Sequence, residues 1–214
     1  KVGEREFRIN EMAGVYYSVN EILDIIAKER IFISESKGGV TFSGGEPLLQ
    51  ADFLLEALMA CKSQGYHTAV DTSGYSKKED LLSIIPFTDL FLFDIKHIDA
   101  AKHYLYTGVS NELILSNFKL IADSGKDIMV RVPVVPGVND STDNLDGIKQ
   151  LLNDNVSDHI LRINLLPYHR IGTSKYRKLN MTNRMNDIEP PSKGRMQSLK
   201  TYFEGTGIKV KIGG

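Results

Sequence analysis

The sequence predicts an α/β fold, a parallel sheet with helices packed outside it. Three observations carry this expectation. Short apolar runs alternate with amphipathic helical stretches from residue 18 to the C-terminus. Glycines at 65 and 125 stand where two of those stretches end. Polar residues, glycine and proline collect just after successive apolar runs. Strict strand–helix alternation builds a parallel sheet covered by helices. A length of 214 residues fits one domain, and 42% hydrophobic residues supply a sizeable core.

The first helix starts at Ser18, which has capping-box spacing to Glu21, and carries Ile22, Ile25 and Ile26 to about residue 30. A glycine pair and the run 39–43 follow, read as a buried strand. The next helix spans about 50–64, with Gly65 as its stop. Strand 67–71, helix 78–85 and strand 89–96 continue the alternation. A helix at 111–124, strand 128–133, helix 141–153 and strand 160–166 come next. After a long loop, a helix at 192–204 and a short strand at 208–212 close the chain. Five main strands and a weak terminal one are too few for a closed eight-stranded barrel. An open doubly wound sheet and a partial barrel both remain, and in both the chemistry sits at the C-terminal ends of the strands.

Composition narrows the function. Basic and acidic side chains nearly cancel, 26 against 27, so nothing suggests a nucleic-acid or membrane surface as partner. No apolar run approaches the roughly 18 residues that span a bilayer. The opening KVGEREFRIN is too polar for a secretory signal and lacks a starting Met, so the chain is expected to begin inside a longer protein. The single cysteine, Cys61, allows no disulfide framework and no cysteine-rich metal site. It lies in an apolar stripe with Phe53, Leu54, Ala57 and Leu58 and reads as a small core residue. A cytoplasmic location is expected.

The strand ends carry the chemistry. Strand 39–43 runs into Ser43-Gly44-Gly45-Glu46-Pro47. Two glycines let backbone approach a ligand, and the carboxylate can accept from an ammonium. Strand 67–71 ends in Asp71-Thr72-Ser73-Gly74. In strand 89–96, Leu90, Leu92, Asp94 and Lys96 share one face, and Phe91, Phe93 and Ile95 the other. Two charges on a covered face must pair or meet a ligand. Arg131 and the segment Pro133–Asp140 follow on the next strand, and His169 after strand 160–166. Together Glu46, Asp71, Asp94, Lys96, Arg131 and His169 read as a site for an amino-acid-like zwitterion with polar substituents. A lyase forming a Schiff base on Lys96 and a non-catalytic binding module for a nucleoside or peptide are the alternative readings of the same residues.

The segments VTFSGGEPLLQ, DTSGY, DLFLFDIK, RVPVVPGVND and LLPYHRIGTSKY, in this order, resemble the glycyl-radical-enzyme activating enzymes of the radical S-adenosylmethionine superfamily, in particular the pyruvate formate-lyase type. The resemblance implies a partial (β/α)₆ TIM-like barrel with its first strand missing. Residues 14–214 would be the barrel, and residues 1–13 the remnant of a ferredoxin-like insert or a linker. It implies that Gly44, Gly45 and Glu46 hold the methionine amino group of S-adenosylmethionine, and that Asp94, Ile95 and Lys96 lie along its ribose and carboxylate. His169 would sit by the adenosine. Asp71, Thr72 and Asp94 would surround a monovalent cation. Arg131 and the 136–140 loop would line the mouth that receives the glycine loop of a partner glycyl radical enzyme, with a flavodoxin or ferredoxin as electron donor. In the family, Cys-x₃-Cys-x₂-Cys holds a [4Fe–4S] cluster, which cleaves S-adenosylmethionine to a 5′-deoxyadenosyl radical. This sequence lacks that motif, so the cluster is expected only in a full-length protein, and this chain alone is expected to be inactive.

Overall fold

The computed structural model describes residues 14–155, 158–169 and 187–214. Strands β1 (Gly39–Phe42), β2 (His67–Thr72), β3 (Leu90–Asp94), β4 (Asp127–Val134), β5 (Ile160–Pro167) and β6 (Val210–Ile212) form one six-stranded sheet in the order β1-β2-β3-β4-β5-β6. Every pairing is parallel. A doubly wound sheet reverses its strand order at a switch point. Sequential order instead settles the choice in favour of an open, partial-barrel arrangement. The edge strand β1 pairs only with β2, and residues 1–13 lie outside the described part.

Local chemistry explains the helices. In α1 (Val19–Lys28) the predicted capping box forms: the Ser18 hydroxyl accepts from the Glu21 N–H, and the Glu21 carboxylate accepts from the Ser18 N–H at 2.7 Å. The core-covering helices α3 (Ala51–Ser63), α4 (Lys78–Ile84), α6 (Glu112–Asp123), α7 (Thr142–Asp154) and α8 (Lys193–Glu204) fall within a few residues of expectation. Pro86 ends α4 in a short 3₁₀ turn, Ile85–Phe87.

Two helices were not expected. Helix α2 (Arg30–Ser36) buries none of its residues, so it carries no core-facing period to read. Helix α5 (Ala100–Thr107) had legible ends: Asp99 caps it by accepting from the Lys102 N–H at 2.8 Å, and Gly108 stops it at φ 82°.

The core lies between the sheet and these helices. Val70, Phe91, Phe93, Val130, Val132, Ile163 and Leu165 point to that side and join Leu58, Phe118, Ile121, Ile148, Leu152 and Phe203 in one buried cluster. The alternate residues Asp71, Leu92, Asp94, Met129, Arg131 and Arg162 occupy the opposite face and are only half-buried. Phe93 also fixes the loop after β2. A Cβ at Gly74, whose φ is 75°, would stand 2.2 Å from the Phe93 ring, so both the space and the dihedral call for glycine there. No helix among the described residues is long and apolar enough to cross a membrane.

Candidate functional site

Register builds the site. Asp71 pairs with Leu92, and Asp94 with Arg131 and, one strand further, Asn164. Arg131 therefore rises between the carboxylates of β2 and β3. Its guanidinium contacts Asp71 at 2.5 Å and lies 3.3 Å from Asp94 Oδ1. The second contact lacks hydrogen-bond geometry, and Asp94 Oδ1 is a sealed oxygen with no hydrogen-bond donor. Asp94 Oδ2 accepts from Lys96 Nζ at 3.0 Å. The Ser43 hydroxyl donates to Asp71 at 3.0 Å. The result is one connected row, Ser43–Asp71–Arg131–Asp94–Lys96, across the ends of four strands.

Glu46 belongs to a second cluster. Its carboxylate accepts from the Thr72 hydroxyl at 2.7 Å, from the Ser73 N–H at 2.8 Å and hydroxyl at 2.5 Å, and from the Leu48 N–H at 3.3 Å. It thus clamps the ends of β1 and β2 together and caps the short turn Pro47–Gln50. Both oxygens already hold donors, so an ammonium ligand would share them.

Gly44 and Gly45 face open space: a Cβ at either position would meet nothing within 4 Å. No neighbour demands glycine there, although Gly44 has φ 143°. The open backbone leaves room for a ligand to lie directly on the chain.

The remaining predicted residues divide. Ile95 buries its side chain in the core and spends its N–H on Arg131 O at 2.9 Å, so only its main chain reaches the site side. His169 is exposed at the far end of β5. Of the residues expected around a monovalent cation, Asp71 and Asp94 face Arg131, and the Thr72 hydroxyl donates to Glu46. Cys61 is fully buried in α3, and burial pushes its thiol up from its ordinary value, away from the thiolate a cluster needs. Lone and sealed in the core, it does not fit a [4Fe–4S] cluster.

Sequence reasoning missed the framework behind the row. Asn139 accepts from the Val135 N–H at 2.8 Å and donates to Lys96 O and Pro133 O. Asn144 accepts from the Ile98 N–H and donates to Asn139 O, both at 2.8 Å. Asn111 donates to the carbonyls of His97 and Ile98. All three asparagines are buried. Asn139 and Asn144 tie the loop after β3 to the loop after β4, Asn111 ties it to the start of α6, and together they fix the backbone that carries Lys96. Two histidines of the β3–α5 segment, His97 and His103, are buried beside them.

Comparison with known proteins identifies the class. The profile of the Radical SAM superfamily matches residues 7–146. The chain is 42% identical over 205 residues to the trans-4-hydroxy-L-proline dehydratase activating enzyme of Clostridioides difficile, covering 95% of this chain and 68% of that one. It is 43% identical over 169 residues to the choline trimethylamine-lyase activating enzyme of Oleidesulfovibrio alaskensis, covering 78% and 54%. A solved domain of a pyruvate-formate lyase-activating enzyme from Bacteroides vulgatus superposes with TM-score 0.69 at 34% identity, covering 83% of this chain and 99% of that one. The chain belongs to the radical SAM superfamily, among the glycyl-radical-enzyme activating enzymes. It spans about two thirds or less of the length of the curated relatives named here. The superfamily's cofactors are S-adenosylmethionine and a [4Fe–4S] cluster.

Proposed function

We propose that this chain is the S-adenosylmethionine-binding barrel portion of an activase that installs a glycyl radical on a separate partner enzyme. The observation that carries the reading is the row Asp71–Arg131–Asp94–Lys96 beside two glycines with open space above them. Lys96 offers a cation to a carboxylate, and Asp94 would accept from a ribose hydroxyl through Oδ2, the oxygen it shares with Lys96. The glycines admit a ligand's amino end between that row and Glu46. His169 would meet the adenosine side, and Asp71 with Thr72 would set the floor. S-adenosylmethionine held by these residues would take one electron from a [4Fe–4S] cluster held by thiolates outside this sequence. Its S–C5′ bond would then break to methionine and a 5′-deoxyadenosyl radical, which would take a hydrogen atom from the partner's glycine. The residues of this chain orient the ligand and exclude water; none needs to act as a base.

The relatives act on a hydroxyproline dehydratase and a choline lyase, and the solved neighbour on pyruvate formate-lyase. A partner of this group, a cytoplasmic location and a flavodoxin or ferredoxin as electron donor belong to the same reading. So do a role of residues 1–13 as insert or linker and a dependence on cluster thiolates from outside this sequence. No observation favours the Schiff-base lyase, since Lys96 is ion-paired with Asp94.

Two experiments test the proposal. Titrating the chain with S-adenosylmethionine by calorimetry or ligand-observed NMR should give a dissociation constant on the order of 0.1–1 mM, as expected from two or three charge-assisted hydrogen bonds without a metal bond. Asp94→Ala and Glu46→Ala should weaken it and Cys61→Ala should not; equal binding by all three variants defeats the site. A longer protein that joins this sequence to the cluster-binding cysteines, loaded with its cluster, is then mixed with the hydroxyproline dehydratase, the choline lyase and pyruvate formate-lyase. A glycyl radical signal by electron paramagnetic resonance on one of them supports the activity, and its absence on all three defeats it.

A further inference from the structure

The row at the strand ends is flanked by two small cavities, of about 190 Å³ and 210 Å³, which share Lys96, His103 and Thr107 as walls. His103 lies on α5, is 2% exposed and is not part of the charged row. Its ring nitrogen Nδ1 lies 2.8 Å from the carbonyl of Val109 and 3.0 Å from the Thr107 hydroxyl. A carbonyl only accepts, so Nδ1 carries the hydrogen and Nε2 of the neutral ring is an acceptor. Nε2 has no protein partner among the described residues. Among the described residues, the unpartnered side-chain atoms sealed from solvent are elsewhere, on Ser76, Asp94, His97, Arg162 and Asn164. The acceptor therefore opens onto the cavities that His103 lines. A buried, fixed, unused acceptor in a cleft calls for a donor from a ligand.

The rim of the same cavities describes that ligand. Leu49, 78% exposed, and Tyr75 border one cavity, and Tyr106 borders the other. Tyr104 and Leu105 stand exposed next to Tyr106. Exposed tyrosine and leucine gathered round a cleft with mostly apolar walls are a surface for protein. A ring acceptor among mostly apolar walls suits an amide N–H, and Lys96 and Glu46 at the edge of the cavities belong to the charged ends of the site.

We propose that His103 is a positioning residue for the partner enzyme: its Nε2 accepts a backbone N–H of the partner segment presented beside Lys96, while Leu49, Tyr75 and Tyr106 receive that segment's apolar side chains. This rests on the activase reading above and adds the residue that holds the protein substrate.

The test uses the longer protein that joins this sequence to the cluster-binding cysteines, loaded with its cluster, and whichever of the three partner enzymes accepts the radical. His103→Asn keeps a donor near the Nδ1 position, for Val109, and removes the Nε2 acceptor. His103→Gln places a carbonyl near the Nε2 position. Losing one neutral hydrogen bond should raise the partner's KM roughly five- to tenfold in His103→Asn. The KM for S-adenosylmethionine should stay within about twofold on the same reasoning, and His103→Gln should recover most of the loss. Leu49→Ser, on an exposed position that does not hold the fold, should raise the partner's KM as well. Equal losses in Asn and Gln variants, a shift that falls on S-adenosylmethionine, or an unchanged partner KM in both His103→Asn and Leu49→Ser each overturn the assignment. A wild-type enzyme that radicalises no partner overturns the activase reading itself, a result distinct from any of these.

Discussion

The two faces of β3 follow different rules. Phe91, Phe93 and Ile95 point toward the helices and are sealed in the core. Leu92, Asp94 and Lys96, interleaved with them, point to the side that carries the charged row. The first face is held by shape and dispersion, and its residues are nearly interchangeable with other apolar ones of equal volume. The second is held by pairings between strands far apart in sequence: Asp71 with Arg131, Arg131 with Asp94. One face stabilises the fold, and the other keeps polarity that packing alone would exclude. Substitutions on the two faces should therefore differ in kind. Core changes should lower stability and leave ligand recognition alone, and row changes should do the reverse.

The strongest test of that contrast is Phe93→Ala. The ring is fully buried, lies 5.3 Å from the Phe118 ring centre and presses on Gly74. Its loss should destabilise by about 3–5 kcal/mol, through transfer and cavity terms together. Urea unfolding measures it; a loss under about 1 kcal/mol would mean that the helix-facing side is loosely packed. Asn139→Ala comes next. It strips partners from the Val135 N–H and from the carbonyls of Lys96 and Pro133, in a buried setting. Roughly 2–4 kcal/mol should be lost, since each orphaned group costs about 1 kcal/mol or more. Weaker S-adenosylmethionine binding should accompany it, because the backbone of Lys96 is released.

These residues also show how far the sequence could be read. The alternation in β3 was legible because a strand's side chains obey a period of two whatever lies around them. So were Ser18 and Glu21, whose cap is made within four residues. The sequential strand order was not legible in the local pattern, which does not distinguish it from a doubly wound sheet; the partial barrel came through the family resemblance, and the structure bears it out. The Arg131 bridge was not legible either. Its members stand on three strands, and only register places Asp94 opposite Arg131 and Arg131 within reach of Asp71. Glu46 was read as an open acceptor, and the structure gives both its oxygens to Thr72 and Ser73. The asparagine ties escaped for the same reason: Asn139 and Lys96 are 43 residues apart. Helix α5 escaped for a different one, since its stripe is weak while its cap Asp99 and stop Gly108 were in plain view.

On the charged face, Arg131→Leu should be milder than the core change. Arg131 and its two partners are each about a quarter exposed, so water screens part of what is lost. About 1–2 kcal/mol is expected as Asp71 and Asp94 are left facing one another. Sodium chloride titration separates this from packing. The wild-type advantage over Arg131→Leu should shrink with salt, whereas that over Phe93→Ala should not. Equal salt dependence in both would erase the distinction between the faces.

The smallest expected effect concerns His97, at the junction of the two environments. It is almost fully buried, and its Nδ1 accepts from the Asp99 N–H at 3.0 Å. Burial pulls its pKa below the ordinary imidazole value; Lys102 and His103 act in the same direction, and Asp99 opposes them. The folded chain thus binds a proton less readily than the unfolded one. The stability that follows is fully present above the ordinary imidazole pKa and is lost as pH falls through that value toward the lower folded one. His97→Asn keeps an acceptor for the Asp99 N–H and removes the titration. Its stability should therefore decline less than the wild type's between about pH 7 and pH 5, as read from urea midpoints at matched ionic strength. Parallel curves for the two proteins would show that His97 carries no linked proton, and that the junction behaves electrostatically like the core.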